Sequence, residues 1–226
     1  LIFDGLGPLI RALNPHDKDA ALMAFDRFLF RGVDPTVAME RYATPFLSDV
    51  LTVCYALYYF HPIVLGALLF ADDRRQGRSE DDAAFPRFAF VVVFVFFVSY
   101  VGYFLVPAVG PRYTIVHGGP LPRGAVSMAI DHTLDVLEKN KRDCFPSGHT
   151  MVVLTVLWGA ARRSKKTFLG FLPFALGLVA GTVYGRYHYV TDVLAGAALT
   201  MLTIPLAEAL FSFSKRRPRG VSAETR

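Results

Sequence analysis

Two short runs in the second half of the chain carry residue types suited to acid–base and nucleophilic work. They are Pro146-Ser147-Gly148-His149 and His188-Tyr189-Val190-Thr191-Asp192. His188 and Asp192 are four apart, so on a helix or its first turn they share a face. There the carboxylate can accept the Nδ1 proton and leave Nε2 free as a nucleophile or base. The plain alternative is a polar pair capping a helix. Pro146 and Ser147 suit the start of a helix. Such a start exposes unpaired N–H groups and a partial positive charge, so it can hold a phosphate. Gly148 lets backbone approach a ligand closely, and His149 beside it could protonate a leaving oxygen. Taken alone, Pro146-Ser147-Gly148-His149 could be a helix cap with an interfacial histidine. The two runs together favour chemistry on an anionic group.

The cations near these runs extend that expectation. Arg112 follows Gly110-Pro111, Arg186 precedes His188 by two, and Lys141 and Arg142 stand shortly before Pro146. Guanidinium groups match phosphate oxygens two at a time, although each cation could equally be a rim charge that snorkels to water. The expected phosphate contacts are therefore Ser147, Gly148, Arg112, Arg186, Arg142 and Lys141. Two histidines and an aspartate also resemble a small ligand triad. The arginines beside them favour an anion held without a metal, and no cofactor is expected. Asp131, His132, Asp135 and Glu138 read as a solvated helix face rather than a polyol or metal site.

The elements that must position these residues are apolar. The hydrophobic fraction is 53%, with 20 Phe and 10 Tyr, a load that few soluble domains carry. Val50 to Ala71, Phe88 to Pro111 and Phe168 to Gly185 contain no Asp, Glu, Lys or Arg. Each is long enough to cross roughly 30 Å of hydrocarbon. Five spanning helices are expected, at about 46–71, 88–109, 149–162, 168–185 and 192–213. Leu1 to Leu13 is a candidate remnant of a sixth. Pro107 and Pro173 are expected to kink or end their helices, and Gly177, Gly181 and Gly196 to allow close helix contact. The fold class is thus an all-α integral membrane bundle of five to six transmembrane helices. It divides into an interfacial or partly spanning segment at 1–45, a catalytic bundle at 46–213 and a basic tail at 214–226. Cys54 falls in a span and Cys144 in a loop, so no disulfide framework is indicated.

Charge sets the orientation. The net charge of +5 gathers in loops and is not a nucleic-acid signature. Arg162, Arg163, Lys165 and Lys166 crowd one loop, and Lys215, Arg216, Arg217, Arg219 and Arg226 close the chain. The positive-inside rule puts both in the cytoplasm. Threading from there brings Arg112, Ser147, His149, Arg186, His188 and Asp192 to one extracytoplasmic face of the cell (inner) membrane.

Pro146-Ser147-Gly148-His149 and His188-x-x-x-Asp192 resemble the second and third signature motifs of the type 2 phosphatidic acid phosphatase (PAP2) superfamily. The resemblance covers roughly 46–213. It implies an integral membrane enzyme of about six helices that works without metal through a phosphohistidine intermediate. It also implies His188 as nucleophile, Asp192 as its orienter, His149 as general acid, and Ser147 and Gly148 as phosphate binders. Two departures stand out. The third motif usually has an Arg six residues before its histidine, where this chain has Thr182. The first motif usually has a Lys seven residues before its Arg and a Pro after it, where this chain has Leu105 and Tyr113 around Arg112. Arg186 is the candidate replacement for the missing guanidinium.

Gly181-Thr182-Val183-Tyr184, followed by His188, Tyr189 and Asp192, is similar to the branch containing fungal inositol phosphorylceramide synthase. That branch moves a phosphorylated head group onto a lipid alcohol, so the expected partners are phosphorylated membrane lipids and an alcohol or inositol-bearing co-substrate. The leading expectation is a lipid-phosphate phosphatase, with a head-group transferase as the alternative. A transporter or structural bundle is a third. Its intramembrane charges would lie along helix middles, whereas here they gather at one rim.

Overall fold

The computed structural model describes residues 2–79, 81–130 and 142–216. The expected contact Lys141, the group Asp131, His132, Asp135 and Glu138, and the tail from 217 lie outside the described residues. Helices make up the regular structure, with no strand among the described residues. They are α1 (Ile2–Leu13), α2 (Asp19–Leu29), α3 (Pro35–Ala38), α4 (Pro45–Ala56), α5 (His61–Arg75), α6 (Ala84–Leu105), α7 (Pro111–Thr114), α8 (Gly148–Arg163), α9 (Lys165–Tyr184) and α10 (Val190–Arg216).

The count of spans differs from the sequence expectation of five to six. Among the described residues, α6, α9 and α10 are long and apolar enough to cross a membrane. The tally reaches four only if α4 and α5 together make one broken span, bent by 51°. The block expected as a single helix at 46–71 breaks because Leu57–Tyr59 tightens into a 3-10 turn and Pro62 opens the next helix. Proline has no N–H to continue the preceding ladder. The expected span 149–162 does form a helix, α8, of 16 residues. At 1.5 Å per residue it reaches only about 24 Å.

α8 is the inner helix of the bundle. It packs against α5, α6, α9 and α10, and its Met151, Val152, Val153, Val156 and Ala160 are buried. A helix apolar on every side suits such a position. Small residues bring its neighbours close. A Cβ on Gly177 would meet Cys54 Sγ at 2.6 Å, and one on Gly196 would meet the Ser147 carbonyl at 2.7 Å. α6 ends two residues before Pro107, as expected. α9 instead runs through Pro173 without ending.

Candidate active site

The two motif histidines meet where α8 begins and the α9–α10 loop returns. His149 Nδ1 lies 3.2 Å from His188 Nε2, and the ring centroids are 5.4 Å apart. Local chemistry fixes each ring. Ser147 is the N-cap of α8, and its Oγ accepts from the Thr150 N–H at 3.2 Å. His149 therefore leaves the first turn in a set direction, and its ring packs on Tyr55 (4.7 Å) and Tyr58 (4.4 Å). Those tyrosines come from the stretch just before the α4–α5 bend, so the broken helix builds one wall of the site. On the other side, the His188 and Tyr187 N–H groups both donate to the Thr182 carbonyl. Asp192 Oδ2 stands 3.5 Å from His188 Nδ1. That separation is long for a hydrogen bond. Asp192 is fully buried, and its Oδ2 accepts from the Tyr189 N–H at 2.8 Å.

The cations divide. The Arg112 N–H donates to the Arg186 carbonyl at 2.9 Å, and its guanidinium lies over the Tyr187 ring at 5.8 Å. Arg186 adopts a positive φ of 65°, uncommon for a residue with a side chain. Its Nη2 pairs with Glu40 at 2.9 Å. Burial lowers the Arg186 pKa from the guanidinium range, Glu40 opposes that shift, and nearby Arg123 and Arg112 add to it. Three guanidiniums thus share one neighbourhood, and the Tyr187 ring under Arg112 stacks on Tyr55, which also packs on His149. Arg142 is turned elsewhere, in a two-pronged pair with Asp17 at 2.7 and 2.8 Å. Ser147 and Gly148 sit at the head of α8, but both face protein. Ser147 is fully buried, with its Oγ also accepting from the Thr150 hydroxyl. The space a Cβ would fill at Gly148 is taken by the Tyr103 hydroxyl. Thr182, which occupies the usual arginine position, is also fully buried.

Several contributors fall outside the sequence motifs. α2 supplies two buried carboxylates. Asp19 accepts from the N–H groups of Val109 (3.0 Å) and Gly110 (2.8 Å) and from the Tyr189 hydroxyl (3.0 Å). Asp26 accepts from Val190 (2.9 Å) and Thr191 (2.7 Å), the opening N–H groups of α10, and from the Thr191 hydroxyl. Carboxylates are favoured at the positive end of a helix. The segment 1–45, set apart by sequence as interfacial, therefore clamps the loops that carry Arg112 and His188. A sequence signal does exist: Asp19, Leu22 and Asp26 fall on one helical face. Glu40, Arg123, Tyr55, Tyr58 and Cys144 carry no comparable signal.

Donor atoms of Cys144, His188 and Asp192 lie within 4.8 Å of one another, a set with the chemistry of a zinc site. Cys144 Sγ, however, lies 2.8 Å from Asp192 Oδ2. Two ligands on one tetrahedral zinc stand about 3.5 Å apart, so this is the spacing of a thiol donating to a carboxylate. Burial, with Asp192 adding to it, holds the Cys144 thiol well above its ordinary pKa and keeps it protonated. An open cleft of about 410 Å³ lies at the far end of α8 among Asp72, Arg78, Arg87, Trp158, Arg162 and Arg163. It takes no part in the histidine site.

No curated protein and no solved structure matches the chain. The family model of the PAP2 superfamily matches residues 20–206. That span takes in both histidine motifs, the arginine neighbourhood and the α2 carboxylate Asp26, and the chain belongs to the PAP2 superfamily.

Proposed function

We propose that the protein is a lipid-phosphate phosphatase in which His188 forms a transient bond to phosphorus. The observation that carries this is the 3.2 Å approach of His149 Nδ1 to His188 Nε2. In the first step His188 Nε2 attacks phosphorus in line. The N–P bond forms, the P–O bond to the lipid breaks, and His149 gives its proton to the departing oxygen. Asp192 steadies the imidazole at Nδ1. Arg186 and Arg112 balance the charge on the equatorial oxygens, and Arg186 exchanges Glu40 for the phosphate. In the second step His149 takes a proton from water, the new O–P bond forms, and the N–P bond breaks. The catalytic groups stand at one rim of the bundle, with the lipid tail left in the membrane and the reaction on the extracytoplasmic side.

The same intermediate can be resolved by an alcohol in place of water. The Gly181-Thr182-Val183-Tyr184 run supports this transferase alternative, of inositol phosphorylceramide synthase type. One experiment tests both. Purified protein is incubated with a panel of lipid phosphates, with and without inositol-bearing or ceramide-like lipids. Free phosphate is the expected product. A new phosphodiester lipid without phosphate release replaces the hydrolase with the transferase. Neither product, from any lipid, overturns the proposal.

A further inference from the structure

We infer that Cys144 is a positioning residue for the reaction, its thiol holding the Asp192 carboxylate at the angle from which it orients His188. The inference rests on His188 being the nucleophile, as proposed above.

The geometry around the thiol is specific. Cys144 Sγ lies 2.8 Å from Asp192 Oδ2, 3.7 Å from His188 Nδ1 and 3.3 Å from the Tyr187 carbonyl. One sulfur therefore touches the orienting carboxylate, the nucleophilic ring and the loop that carries that ring. Among the described residues, the carboxylate's hydrogen-bond contacts fall on one oxygen. Oδ2 receives the thiol and the Tyr189 N–H and faces His188, while the buried Oδ1 has no hydrogen-bond partner among them. A carboxylate held at a single oxygen can turn about its own bond, and losing one of two fixed donors loosens it further. The backbone adds to the clamp, with the Cys144 N–H donating to the Ala108 carbonyl at 3.4 Å. The loop before α8 is thereby tied to the stretch before Arg112.

A thiol suits this position because it is a weak donor. It fixes the carboxylate's direction while withdrawing little of the negative charge that His188 needs. A hydroxyl in its place keeps a donor, whereas an alkyl side chain keeps only the volume.

The test compares purified Cys144→Ala, Cys144→Val and Cys144→Ser with wild type, each checked for unchanged thermal unfolding. Initial rates are measured on the best lipid of the panel. Losing one hydrogen bond to a charged group lowers kcat of the Ala and Val variants about tenfold. KM stays within about twofold, since substrate contacts are untouched. Cys144→Ser recovers most of the rate. Added to Asp192→Asn, Cys144→Ala costs nothing further, because residues acting through one another are not additive. Full kcat in the Ala variant, equal losses in Ala and Ser, or additive losses with Asp192→Asn each overturn the inference while leaving the proposed function standing. A wild type that neither releases nor transfers phosphate overturns both.

Discussion

The two ends of the inner helix α8 are both rich in charge, yet they use it in opposite ways. At its C-terminal end, cations and carboxylates neutralise one another. Arg163 pairs with Asp72 at 2.7 Å, Arg78 with Asp73 at 3.1 Å, and Arg87 and Arg162 converge on Glu208 at 3.4 and 3.6 Å. These pairs are partly exposed, where ion pairs contribute little. At its N-terminal end the buried carboxylates of Asp19, Asp26 and Asp192 accept from backbone N–H groups, hydroxyls and a thiol. On the same side Arg186 pairs with Glu40 at 2.9 Å and shares its neighbourhood with Arg112 and Arg123. Charge content alone marks both ends as polar rims. What a carboxylate is paired with distinguishes a scaffold for chemistry from a solvated surface.

The sharpest way to break this contrast is at the histidines. His188→Ala should reduce turnover by on the order of 10⁴-fold or more. It should also abolish any acid-labile phosphoryl-enzyme trapped by rapid quench with radiolabelled substrate. Residual turnover near wild type would remove the histidine site from the reaction altogether.

The next largest effect belongs to the clamp. Asp26→Ala strands the opening N–H groups of α10 in a half-buried setting, at a combined cost of about 1–3 kcal/mol. Thermal unfolding should shift downward by several degrees, with activity falling in parallel. An unchanged midpoint would show that the α2 carboxylates are incidental to the site.

Arg186→Ala removes a guanidinium but leaves the histidines alone. A lost charge-assisted hydrogen bond of about 1.5–3 kcal/mol corresponds to roughly 10–150-fold in kcat/KM. Arg186→Lys should recover only part of this, because an ammonium cannot make the two-pronged contact. Near-normal turnover in the alanine variant would rule out Arg186 as the replacement for an arginine at Thr182.

The smallest effect is expected at the far end. Arg163→Ala breaks a partly exposed pair and should cost below about 1 kcal/mol in stability, with kcat unchanged in the same lipid assay. A large loss of activity there would mean that the two ends of α8 are coupled.

How far the site was legible follows from the range of its contacts. The pairing of His188 with Asp192 is written in an i, i+4 spacing, and the Ser147 cap in the start of a helix. Both are local, and the structure has both. The long apolar blocks likewise marked α6, α9 and α10. The α4–α5 break was present as Pro62 inside an otherwise apolar run, but run length outweighed it. Arg142 shows the limit of proximity in sequence. It stands close to the second motif, yet its fork fits Asp17, a partner 125 residues away. Glu40 was hidden for the same reason, and the shared helical face of Asp19 and Asp26 gave no sign of their partners, which lie far along the chain.

The sequence by itself determined an apolar helical protein with two histidine motifs, because hydrophobic run length and helical spacing are properties of neighbouring residues. Only the tertiary structure decided that α8 is an inner helix too short to span alone, that α2 clamps both motif loops, and that Cys144 rests on Asp192. Those outcomes depend on which buried donor finds which acceptor once the helices pack. A buried polar group must be satisfied by whatever the fold brings within reach, and sequence distance does not limit that choice.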